Sequence, residues 1–181
     1  MEGESSDPRA VAIARVLAAA GWPEGGFQVL RDGPDLGDWY TYMAFTTNPS
    51  GTLVDAWAGP RAPDDPTQLI VAGQPLTRPR LRALLASPGV APKDVAHVIS
   101  RTSGVAHELG DPLPGDPMGV PVRLEAQLHA PRTEGEAQET VFAYFARTFA
   151  GVYVRVRARL DGSGPVELTI DPPQGPAVKV S

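Results

Sequence analysis

The sequence predicts an α+β fold: an N-terminal helix, an antiparallel hairpin sheet and two more helices, followed by a C-terminal four-stranded antiparallel meander. Three observations predict it. Helical periodicity is confined to three stretches within the first 110 residues. Residues 111–121 hold four prolines and two glycines, which no regular element accommodates. Beyond that point apolar residues recur at every second position. The expected division is an α+β part over 1–110, a Pro/Gly-rich connector over 111–121 and an antiparallel β part over 122–181. One shared core and two separate cores both remain open, although a last part of roughly 60 residues is marginal alone.

Asp7-Pro8 predicts a helix start, because an aspartate accepts orphan N–H groups and proline fits the first turn. Residues 8–20 carry Val11, Ile13, Val16 and Leu17 as apolar content, and Gly21 is a natural stop. Residues 27–30 predict a short strand. The strongest local signal is a hairpin over 39–47 and 52–58, joined by Asn48-Pro49-Ser50-Gly51 with proline second and glycine fourth. With Asn48 opposite Gly51, Phe45 faces Val54, Met43 faces Ala56 and Tyr42 faces Trp57. One face then holds Met43, Phe45, Val54 and Ala56, the other Tyr40, Tyr42, Asp55 and Trp57. Residues 67–72 predict a further buried strand. Thr77 is the expected cap of a helix over 78–87. Pro92 opens a longer helix to residue 109, with Val95, Val98, Ile99, Thr102, Ala106 and Leu109 on one face and Gly104 a weak point costing about 1 kcal/mol.

After the connector, residues 122–128, 152–160 and 166–171 alternate apolar and polar side chains, as half-buried strands do. The stretch 134–149 is ambiguous. Thr133 and Glu136 form a capping box and Phe142, Phe145 and Phe149 lie near one helical face, yet β-branched and aromatic residues dominate 140–145. Read as a strand, it completes the meander.

Composition excludes several chemistries. The chain lacks cysteine, so it has no disulfide, thiolate metal site or thiol nucleophile. Its two lysines, Lys93 and Lys179, lack the Gly-Lys-Ser/Thr context of a phosphate-binding loop. A net charge of −5 disfavours nucleic acid. An acidic start and the lack of an 18-residue apolar run disfavour a signal peptide and a membrane span, which makes the cytoplasm the expected location. His107-Glu108 lacks the second histidine of a zincin helix, and Gly162-Ser163-Gly164 fits a turn better than a nucleophile elbow. No catalytic residue, metal site or cofactor is expected, and a non-enzyme is favoured.

Two candidate surfaces remain. Tyr40, Tyr42, Asp55 and Trp57 could line a ligand pocket, since aromatic rings beside a carboxylate suit sugars or cations; a helix covering that face is the commoner outcome. Tyr153, Arg155, Arg157 and Arg159 could hold an anion or single-stranded nucleic acid, the arginines standing roughly 6.5–7 Å apart along one strand face. The favoured alternative is a ladder, with Arg159 facing Glu167, Arg157 facing Thr169 and Arg155 facing Asp171. The leading functional expectation is a non-catalytic protein-interaction module (adaptor, chaperone-like or inhibitor) whose partner is another protein or a second copy. A small-molecule-binding domain and an anion-binding strip are the alternatives.

Overall fold

The structure is a computed structural model describing residues 7–23, 26–46, 51–103, 107–108, 132–136, 138–147 and 153–171. Helix α1 spans Pro8–Ala19, and the Asp7 side chain accepts the Arg9 backbone N–H at 2.9 Å. Ala10, Ile13 and Leu17, spaced three and four apart, are buried. Val11 is not part of that stripe: it lies about 100° around the helix from Ala10 and is 38% exposed.

Strands β1 (Phe27–Arg31), β2 (Tyr40–Thr46), β3 (Leu53–Ala58) and β4 (Leu69–Val71) form an antiparallel sheet in the order β1-β2-β3-β4. The hairpin is where expected, but its register is one residue away: Phe45 faces Leu53, Met43 faces Asp55, Tyr42 faces Ala56 and Thr41 faces Trp57. The ladder closes at Thr46 and Thr52, whose N–H–carbonyl bond is 3.1 Å, with the Thr46 hydroxyl accepting a second N–H from Thr52 at 2.9 Å. Five residues therefore bridge the strands, one more than a turn pairing Asn48 with Gly51 allows. Because side chains alternate with period two, that single step changes which residues share a face. Tyr42, Ala44, Ala56 and Ala58 bury against α1, while Trp57 and Ile70 point to the other side.

That other side receives helices α2 (Arg78–Leu85) and α3 (Pro92–Ser103). Thr77 occupies the N-cap of α2 without a side-chain bond, and α2 ends two residues before expectation. Helix α3 also stops early. It ends at Ser103, and His107 and Glu108 form the short strand β5 in place of a helical extension.

The second sheet comprises β5, β6 (Arg132–Glu136), β7 (Glu139–Arg147), β8 (Tyr153–Arg159) and β9 (Leu168–Asp171), all antiparallel. β5 and β6 both pair with the edge of β7 opposite β8. Within the ambiguous 134–149 stretch, residues 134–136 and 139–147 are thus strand, not helix. β6 was not expected, because Arg-Thr-Glu-Gly-Glu carries no apolar residue to reveal a period. The expected strand over 122–128 and the connector lie outside the described residues.

One buried cluster joins both sheets: Trp57 and Ile70, then Leu81, Leu84, Val95, Val98 and Ile99, then Phe142, Tyr144, Val156 and Ala158. The layers run α1, first sheet, α2 with α3, second sheet. The Ser100 and Tyr144 hydroxyls, 2.9 Å apart, tie α3 to β7 inside it.

Candidate interaction surface

The face of the first sheet turned toward α3 is only partly covered. Opposed residues share a face, so β1 contributes Gln28 and Leu30, β2 contributes Thr41, Met43 and Phe45, and β3 contributes Leu53, Asp55 and Trp57. α3 covers the Trp57 end, leaving that ring 1% exposed. At the other end Leu30 is 50% exposed and Leu53 63%, with Met43 and Phe45 half-buried between them. Leu30 faces Met43 across β1 and β2, and Phe45 faces Leu53 across β2 and β3, so the four form one contiguous apolar strip.

A cleft of about 560 Å³ continues from this strip between the sheet and α3, with Met43 lining both. Lys93, His97 and Arg101 enter it from α3. Their spacing of four places them on one helical face, a basic stripe whose period is legible in the sequence itself. Asp55 reaches them from β3: the Arg101 Nε donates to its Oδ2 at 2.6 Å. The His97 ring stands edge-on to Trp57 at 6.2 Å.

The four residues expected to form one aromatic face do not do so. Asp55 and Trp57 line the cleft, whereas Tyr40 and Tyr42 lie on the α1 side. Tyr42 is buried and donates its hydroxyl to the Asp7 Oδ2 at 2.5 Å. Burial pushes the Asp7 carboxyl up, but the Tyr42 and Arg9 hydrogen bonds and the Arg9 charge outweigh it, and the group rests below its ordinary value. Burial, then the Asp7 bond and charge, drive the Tyr42 phenol up. The Tyr40 ring is occupied by cations, with the Arg9 and Arg31 guanidinium carbons 4.7 Å and 4.4 Å from its centroid.

On the second sheet the β8–β9 register matches expectation, with Arg155 facing Asp171, Arg157 facing Thr169 and the Arg159 N–H bonded to the Glu167 carbonyl at 3.1 Å. Carboxylates approach from both flanks. Arg155 meets Glu134 at 2.5 Å, and Arg159 meets Glu139 at 3.2 Å and Glu167 at 3.4 Å. Glu134, which also holds Arg132 at 2.7 Å, comes from the unforeseen strand β6. Tyr153 begins β8 beside these arginines in sequence; its side chain lies outside the described residues.

A joint between the halves was also missed. Arg78 and Arg82, one turn apart on α2, clasp the β8–β9 turn. Arg78 donates to the carbonyls of Asp161 (2.5 Å) and Pro165 (3.1 Å) and to Glu167 (2.7 Å). Arg82 donates to the carbonyls of Leu160 and Gly162. Among the described residues no three His, Asp or Glu side chains gather as metal ligands, and no helix is long and apolar enough to cross a membrane. Comparison of the chain with protein-family models, with curated proteins and with solved structures finds no match.

Proposed function

We propose that this chain is a non-catalytic protein-interaction module, of adaptor, chaperone-like or inhibitor type, acting in the cytoplasm and binding through the uncovered face of its first sheet. The observation that carries this reading is the contiguous strip of Leu30, Met43, Phe45 and Leu53, in which both leucines keep half or more of their surface in water. Scattered exposed leucines need no explanation, but a strip on a sheet face beside a cleft offers a partner apolar surface to bury. Fully covering a leucine contributes about 1.5–3 kcal/mol, so two that start half covered give on the order of 2–3 kcal/mol together. The internally paired Asp55 and Arg101 at the cleft supply a polar rim.

Leu53→Arg tests the reading, because it places a charge in the strip without touching the core. Affinity purification from the native cell is expected to recover a protein with the wild type and lose it with L53R. Folding stability should differ by no more than about 0.5 kcal/mol between the two. Recovery of the same proteins by both, or of none by either, overturns it.

A further inference from the structure

We infer that β1 is the edge at which a second copy of this chain pairs, antiparallel and two-fold about Val29, extending the four-stranded sheet to eight strands. The inference rests on the interaction reading above and adds a second copy of the chain at the strand edge beside the strip.

Asp32 donates its N–H to the Thr41 carbonyl at 3.1 Å, and bonding alternates along an antiparallel ladder, so Gln28, Leu30 and Asp32 direct their backbone groups at β2. Phe27, Val29 and Arg31 therefore direct three N–H and three C=O groups outward, and no described residue takes them up. Edge strands are normally blunted by a charged side chain, proline or a bulge. β1, Phe-Gln-Val-Leu-Arg, has no proline, its five-residue register with β2 is unbroken, and its one charge, Arg31, is paired with Asp35 within the same chain. At the opposite edge β4 is three residues long and its Val71 carbonyl already accepts the Gln74 N–H at 3.1 Å.

The outward residues are symmetric about Val29, as an isologous interface requires. Two-fold pairing sets Val29 opposite Val29 and Phe27 opposite Arg31, with six new backbone hydrogen bonds. No like charges meet. Arg31, neutralised by Asp35 at 2.5 Å, faces a phenyl ring. On the α3 side Gln28 faces Leu30, and the two exposed leucines meet diagonally, joining the apolar strips of both copies.

The absence of native cysteine makes the pairing directly readable. A two-fold axis at Val29 holds its Cα about 5.5 Å from its mate, within the span of a disulfide. Mild oxidation of V29C is expected to give at least about tenfold more covalent dimer than oxidation of L53C or I170C, the latter reporting the β9 edge. Sedimentation of the unmodified chain should show dimer across micromolar concentrations. V29P should sediment as monomer, because that N–H points outward and its loss costs β1 no bond to β2. A wild-type monomer throughout, equal cross-linking of V29C and L53C, or dominant cross-linking of I170C overturns the inference. A monomer whose partner is still lost in L53R overturns edge pairing alone; a dimer with no L53R-sensitive partner overturns only the binding of a different protein at the strip.

Discussion

Asp7 does two jobs with one carboxylate, accepting the Arg9 N–H through Oδ1 and the Tyr42 hydroxyl through Oδ2. Removing it in D7A loses the helix cap and strands a buried phenol, a cost of about 2–3 kcal/mol in urea denaturation. The conservative D7N keeps the cap and isolates the charge. Because the folded carboxyl lies below its ordinary value, its stabilisation is complete at neutral pH and fades only as the pH falls below about 4 and through the folded value. Unfolding at pH 7, 5 and 3 should show the wild type losing its advantage over D7N in the last interval alone. Tyr42 has the opposite sign: its raised value means stability held below about pH 10 and lost above it. Asp7 as a cap was legible locally. Its bond to Tyr42 was not, because Tyr42 lies 35 positions away and its face depended on a register the hairpin sequence alone left one residue in error.

At the scale of elements, α2 is fastened to the second sheet by polar contacts as well as by its apolar stripe. Arg78 has a side chain only 11% exposed and three oxygen partners on the β8–β9 turn. R78A should therefore destabilise the fold by about 2–3 kcal/mol, whereas R80A on the same helix should cost less than about 1 kcal/mol. Thermal or urea unfolding separates the two; equal effects would mean the clasp contributes nothing particular. The helical period announced α2 and α3, and the alternation of 152–160 and 166–171 announced β8 and β9 with their register. β6 stayed invisible because a strand of charged and small residues has no hydrophobic alternation. The end of α3 was misplaced because apolar spacing persisted in the sequence beyond Ser103, where pairing with β7 displaced helical bonding at His107 and Glu108.

For the molecule as a whole, the buried cluster running from Trp57 through α3 to Phe142 and Val156 makes the two sheets depend on the same packed helices. All three tryptophans, Trp22, Trp39 and Trp57, precede residue 58, so their fluorescence reports only the first half. F142A, on the second sheet, should cost about 3–5 kcal/mol and shift the fluorescence and far-ultraviolet circular dichroism transitions together. A fluorescence midpoint left at its wild-type value would show that the halves unfold separately. The sequence by itself determined the α+β class, the three helix starts, the hairpin and the β8–β9 ladder, because capping and side-chain period are properties of neighbouring residues. Only the tertiary structure decided which hairpin face meets α1, that Lys93, His97 and Arg101 overhang a cleft, that carboxylates from β6, β7 and the β8–β9 turn flank the arginines, and that β1 is the end strand of the first sheet among the described residues. Those outcomes depend on register and on contacts between residues tens of positions apart, where one added loop residue reverses a strand's two faces.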